Sequence, residues 1–431
     1  MRESSPPRST ALDRPALGLV MQLVALSMLP GQLSLVAFML IEGMPEFHLA
    51  SLATLQLVAT GLQLAAGIAI SRRAAARPLA AAYCIGSLAL AIVAAVLFAV
   101  EGEGASAIIV VVVEALPGPL VIVVGSLALR LDRLPDQRSP ADVAAVLLVL
   151  GSSSLIAIAV TIVNQARMMS ETGSSPGMWV SLIWPWVVSG ATAVVAIHAG
   201  RILLRTDSEA AARRALIRYV LVAIGTAAVL GVPAIVWILV NTDDHKLFVL
   251  VSPVAGLAIS VARPLLIWSY AKPTLRDPMP ASRRELCAPL VWAALWAVPL
   301  LLSRWPAVLQ IGEASGAAIA VELGVLLSAL AVANVVAVLA TLRGDRRAFA
   351  AALTATVIAV ALLVAGLVWL YTRLHGSPLD TFRRALEQPV GPLALIIATL
   401  ATLAWSQREH PVRNPDGPAA SAGEPTLGEP R

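Results

Sequence analysis

Again and again along this chain the sequence stays apolar for about 18 residues or more, long enough for a helix to cross the hydrocarbon core of a bilayer. That recurrence constrains the fold more than any single motif does. A soluble domain has too little interior to bury so many continuous runs. Outer-membrane barrels are excluded as well, because their strands alternate apolar and polar residues. Charge agrees: only 13% of residues are charged, where soluble domains carry about 25%, and the mean hydropathy is +0.83. The fold class is therefore an all-α polytopic membrane protein.

Twelve transmembrane spans are predicted, near 16–42, 49–71, 78–100, 105–131, 141–163, 178–202, 215–240, 247–270, 286–303, 314–342, 348–372 and 389–406. Residues 1–14, with Pro6, Pro7 and three arginines, read as a disordered tail, and the transmembrane domain occupies 15–406. Residues 407–431, rich in Pro, Gly, Ala and Glu, read as a second disordered tail. The first apolar run has no A-x-A-like cleavage site behind it and continues past Pro30 and Gly31, so it reads as a span and not a signal peptide.

Basic residues alternate with this count. Arg72, Arg73 and Arg77, then Arg130, Arg133 and Arg138, then Arg205, Arg213 and Arg214 fall in loops on the side of the N-terminal tail. Lys272, Arg276, Arg283 and Arg284 follow on that side, then Arg343, Arg346 and Arg347. The opposite loops carry Glu42, Glu46, Glu101, Glu103, Asp243 and Asp244, although the last of them holds Arg373, Arg383 and Arg384. The positive-inside rule then predicts a protein of the cytoplasmic (inner) membrane with both termini cytoplasmic. It also accounts for the net charge of +5 without a nucleic-acid partner. Trp179, Trp237, Trp305 and Trp369 near outer ends, and Trp268 and Trp405 near inner ends, read as interfacial anchors.

One stretch is costly for a membrane span: Glu114-Ala115-Leu116-Pro117-Gly118-Pro119-Leu120. Pro removes an amide donor, Gly loosens the backbone and Glu resists leaving water, so such a break needs protein or a wet cavity around it. Related stretches recur at 251–257 and 387–393, with Leu120, Leu257 and Leu393 in register at a period of about 136 residues, and Tyr83 matches Tyr219 at that offset. Three tandem four-helix units in parallel orientation would produce this pattern. The alternative is a six-plus-six transporter-like bundle, for which the central loop at 205–214 is short.

Motifs for enzymatic chemistry are missing: there is no HExxH, GxSxG or GxxxxGK[ST] pattern, and the histidines are scattered. No enzyme, cofactor or metal is expected. The two cysteines, Cys84 and Cys287, lack metal spacing and read as packing residues. Gly151-Ser152-Ser153-Ser154 reads as a small-residue packing face, and Gln22, Gln32, Gln56 and Gln63 as glue between helices.

Polar residues at membrane depth remain as substrate or ion pathway candidates: Glu114 with Pro117, Gly118 and Pro119, together with Arg263, Glu322 and Asn334. Intramembrane ionisable groups mark relays and substrate paths. Glu114 and Glu322 could serve as a proton relay, while Arg263, beside Pro264, could neutralise one of them, bind an anionic substrate, or snorkel to the cytoplasmic interface. The sequence thus predicts a secondary transporter or flippase-like carrier of a small molecule or lipid whose identity no motif specifies. Its path would run near the broken fourth and eighth spans. The alternative is a non-transporting membrane scaffold or assembly partner.

Overall fold

The computed structural model describes residues 14–42, 47–72, 76–100, 124, 131, 138–172, 176–205, 208–241, 250–276, 317–343 and 346–373. Nine α-helices lie among them, and no strand does. They are α1 (Arg14–Glu42), α2 (Phe47–Arg72), α3 (Ala76–Val100), α4 (Pro140–Thr172), α5 (Pro176–Arg205), α6 (Glu209–Asn241), α7 (Val251–Ala271), α8 (Ala317–Arg343) and α9 (Arg346–Arg373). A single 3-10 turn, Thr274–Arg276, follows α7.

Each helix falls on one of the predicted apolar segments. Five contain stretches long and apolar enough to cross a membrane: Thr54–Arg72, Ala76–Leu97, Pro185–Leu204, Glu209–Val240 and Pro253–Ala271. By helix composition the chain is thus a multi-pass protein of a lipid bilayer. The predicted spans at 105–131, 286–303 and 389–406 lie outside the described residues, apart from Val124 and Leu131.

Helix is the expected state for these segments, because a bilayer supplies no partner for a free amide or carbonyl. The start signals are local. Pro140 and Pro176 open α4 and α5, where the missing amide would have had no helical partner anyway. Ser208 caps α6: its Oγ accepts from the Ala211 amide at 3.4 Å, and Glu209 places a carboxylate at the positive end of the helix dipole.

Two expectations are corrected here. The span predicted at 247–270 is not broken, since α7 runs without interruption from Val251 to Ala271. Pro253 sits in its first turn, where its missing amide has no helical partner to lose, and Pro264 is accommodated inside the helix. Similarly, the span predicted at 141–163 continues as helix to Thr172, through Asn164, Gln165 and Arg167.

Short links make hairpins of successive helices. α1 packs on α2 and α2 on α3, while α4, α5, α6 and α7 pack each on the next, and α8 packs on α9. α1 also crosses to α7 and joins the first two groups. One buried cluster unites Leu17, Met21, Ile70 and Tyr83 of α1–α3 with Val124 and Leu131. A larger one unites Leu19 and Leu23 of α1 with Leu147, Leu203, Leu216, Ile267 and Tyr270. Both gather at the same end of the bundle, where α1, α3, α4 and α6 begin and α2, α5 and α7 finish. Arg72, Arg77, Arg138, Arg213, Arg214, Lys272 and Arg276 all belong to that end.

Close approach depends on glycine. A Cβ on Gly18 of α1 would lie 2.6 Å from the Gly67 carbonyl oxygen and nearer still to the Ser71 hydroxyl of α2. Gly151 and Gly200 play the same part between α4 and α5. Gln22 spans the first crossing, donating to the Gly18 carbonyl at 3.1 Å and to Ser71 Oγ at 3.0 Å. Gln63 donates to the Met21 carbonyl at 3.1 Å. These two glutamines are the interhelical glue expected of them.

Outward faces are the reverse. Ile85, Leu88, Ile92 and Val96 on α3, and Leu221, Val229, Val236 and Trp237 on α6, are exposed, with Trp237 67% accessible. Exposed large apolar side chains of this kind suit a hydrocarbon solvent.

Candidate functional site

A partly open cavity of about 420 Å³ lies among α4, α5, α6 and α7, within the range of ligand pockets. Helical periodicity aims one face of each helix at it. On α7 the lining residues are Pro253, Gly256, Leu257, Ser260, Arg263 and Pro264, spaced by three and four. On α6 they include Tyr219, Ala223, Thr226, Ala227 and Leu230, and on α5 Ser189, Thr192, Ala193 and Ala196. α4 adds Leu150, Gly151 and Ser154. Residues 253 to 264 advance about 16 Å along the helix axis, roughly half the hydrocarbon thickness.

The two ends of this space differ in chemistry. Near the basic end of the bundle lies Arg263, whose guanidinium is charged under all ordinary conditions. Its Nε is buried and has no hydrogen-bond partner among the described residues. Tyr219, 6% exposed, lies near enough to interact with it electrostatically. Among the described residues no Asp or Glu belongs to the lining. Pro264 has no amide hydrogen, so the carbonyl of Ser260 lacks its usual helical donor. Further along, Thr192 Oγ1 donates to Thr226 Oγ1 at 2.8 Å and ties α5 to α6 beside the cavity. Beyond that pair the walls are mostly Ala, Leu, Gly and Pro, with Ser154 and Ser189 on the α4 and α5 side. At Gly256 an added Cβ would meet nothing within 4 Å, so the space there is open.

The residues singled out from sequence are placed unequally. Arg263 lines the cavity. Asn334 is wholly buried on the packed face of α8, among Leu330, Ala333 and Ala337, away from the cavity. Glu322, on the same helix, is exposed, so the two do not share a site. Glu114, Pro117, Gly118 and Pro119 lie outside the described residues. Of the two predicted packing cysteines, Cys84 is half-buried, and Cys287 lies outside the described residues.

The hydroxyls of Ser189, Thr192, Thr226 and Ser260 were not singled out from sequence, and Ser154, read as part of a packing face, lines the cavity. Their signal was present: Tyr219, Ala223 and Thr226 follow one helical stripe of small or polar residues within an apolar segment.

A second polar group closes the basic end. Tyr270 donates to Asp142 Oδ2 at 2.9 Å, and both residues are buried. The Arg138 guanidinium lies 5.5 Å from the Tyr270 ring centre. This arrangement joins the start of α4 to the end of α7. Among the described residues no group of three His, Cys, Asp or Glu could hold a metal ion.

No family model matches the chain, and no curated protein or solved structure is significantly similar to it.

Proposed function

We propose that this protein is a membrane carrier, not an enzyme, and that its solute passes through the cavity among α4–α7. The observation that carries the reading is the combination of a ligand-sized space bearing several hydroxyls with outer faces on α3 and α6 rich in exposed large apolar side chains. A purely structural bundle fills its interior to crystal-like density. An open space of this size leaves helix faces unpacked against one another, and a transport path requires such a space.

The reading places the protein in the cytoplasmic membrane with twelve spans and both termini inside. The basic end of the bundle would face the cytoplasm. In an arrangement of three four-helix units, α4–α7 would form the second, and α1–α3 with the segment holding Val124 and Leu131 the first; a six-plus-six bundle is the alternative. A Ser208→Cys reporter at the basic end, with Cys84 and Cys287 replaced, tests the orientation. Labelling by an impermeant maleimide from outside intact cells would refute it.

Carriage itself is tested without choosing a solute. Inverted vesicles containing wild-type protein, the Gly256→Leu variant or no added protein are given a pooled cell extract, and retained solutes and lipids are read by mass spectrometry. Leu at 256 occupies open space, so it blocks the cavity while the fold persists. Wild-type vesicles should differ from the other two in a small set of compounds. Identical contents in all three would overturn the carrier.

A further inference from the structure

We infer that the cavity is a site for an amphiphilic anion, with its phosphate-type headgroup held by Arg263 and its apolar tail lying along α6 and α7 toward Leu230 and Pro253. The inference rests on the carrier reading for its physiological meaning but stands on its own geometry.

A fixed positive charge within a membrane-spanning helix is costly unless it is paired or hydrated. Arg263 has neither a carboxylate in the lining nor a hydrogen-bond partner for its buried Nε among the described residues. Snorkelling would carry the guanidinium away to the interface, yet Nε is enclosed by protein and the residue lines the cavity. An anion from outside the chain satisfies the group. A guanidinium suits a phosphate oxygen pair, because its fork matches two acceptors at once. Tyr219 and Ser260 add hydroxyl donors from neighbouring turns of two helices.

The rest of the cavity selects against a bare inorganic ion. Ala223, Ala227, Leu230, Leu257 and Gly256 give it an apolar wall along most of its length, and an anion alone would leave that wall wet. A headgroup with a tail fills both regions. Free phosphate and a phosphate-headed lipid share the headgroup chemistry, so the experiment separates them.

Full-length protein in a neutral maltoside detergent is titrated with dodecyl phosphate, inorganic phosphate and dodecanol, and binding is read by native mass spectrometry and by the rise in unfolding temperature. Dodecyl phosphate should bind saturably at one site. Arg263→Gln should weaken it roughly 10- to 100-fold, the loss of a charge-assisted contact, and Arg263→Lys should weaken it less. Gly256→Leu should remove the advantage of the tail while Arg263 stays in place. Unchanged binding of dodecyl phosphate to Arg263→Gln would overturn the inference. So would inorganic phosphate or dodecanol binding as tightly as dodecyl phosphate. The two readings fail separately. Saturable, Arg263-dependent binding with no retained solute in the vesicle experiment removes the carrier and leaves the site. Retention that is the same in Arg263→Gln vesicles removes the site and leaves the carrier.

Discussion

Substituting Ala for Gly at two positions of the first hairpin should shift stability in opposite directions. At Gly18 an added Cβ would fall 2.6 Å from the Gly67 carbonyl oxygen and 2.9 Å from the Ser71 amide nitrogen, with the Ser71 hydroxyl closer than either. Two of these atoms are backbone, so relief requires α1 and α2 to separate. Overpacking of this kind costs about 1–3 kcal/mol. Separation also stretches the 3.0 Å bond from Gln22 to Ser71, a loss of about 1 kcal/mol. The gain from replacing a helical Gly by Ala is about 1 kcal/mol, so Gly18→Ala should be net destabilising by about 1–3 kcal/mol. Gly61 lies on α2, exposed, with nothing within 4 Å of an added Cβ. There only the helix-propensity term operates, and Gly61→Ala should stabilise by about 1 kcal/mol or less. Unfolding of purified protein by sodium dodecyl sulfate titrated into neutral mixed micelles reads both. A Gly18→Ala variant as stable as wild type would refute the close crossing of α1 and α2. Equal destabilisation at Gly61 would show that losing a glycine, and not the contact, is responsible.

Other sites give independent tests. Tyr270→Phe removes a buried hydrogen bond to a carboxylate and should cost about 1.5–3 kcal/mol in the same titration; a loss within about 0.5 kcal/mol, as at ordinary surface positions, would deny the bond. Thr192→Val and Thr226→Val should each cost about 1 kcal/mol, with the double variant no worse than either single one, because they share one bond; full additivity would show that the hydroxyls do not meet. Val229 lies on the exposed face of α6, and Val229→Asp should raise the insertion free energy of that helix by about 3 kcal/mol. Glycosylation-mapped insertion checks it, and unimpaired insertion would argue that this face does not meet lipid.

Helix positions were legible in the sequence, because apolarity and length suffice where backbone groups have no water to bond to. The segment predicted at 178–202 is helix from Pro176 to Arg205, and that at 348–372 from Arg346 to Arg373. Apolarity measures the hydrocarbon layer, however, and not the helix. That is why α4 outruns its prediction: Asn164 and Arg167 leave the apolar zone without ending the hydrogen-bond ladder. Proline misled in a different way. Pro253, in the stretch at 251–257, suggested a break, but it falls in the first turn of α7, where no helical bond depends on its amide.

The candidate site was legible only through its charge. Arg263 drew notice because a cation at that depth is costly. Thr192, Thr226 and Ser260 did not, since a hydroxyl can bond its own helix and sits in apolar segments at little cost. Which helix faces meet around a cavity depends on how α4–α7 are arranged in space, and periodicity within one helix does not encode that arrangement.

The small size of the side chains between α5 and α6 has a mechanical consequence. Ser189, Thr192, Ala193 and Ala196 on one helix and Ala223, Thr226 and Ala227 on the other line the cavity, and the Thr192–Thr226 hydrogen bond is the bridge between them. Such residues raise low ridges and leave shallow grooves, so this seam interlocks weakly. The neighbouring seam is geared tightly, since Gly151 and Gly200 let α4 and α5 mesh at backbone distance, with Ala193 O 2.7 Å from a Cβ built on Gly151. Under load the bundle should therefore slip along α5–α6, with α4 and α5 moving as one body, the shear style of rearrangement. Spin labels at Ile162 on α4, Val187 on α5 and Val236 on α6, all exposed, would record this as a broad 187–236 distance distribution beside a narrow 162–187 one. Equal widths would mean that the seam does not slip.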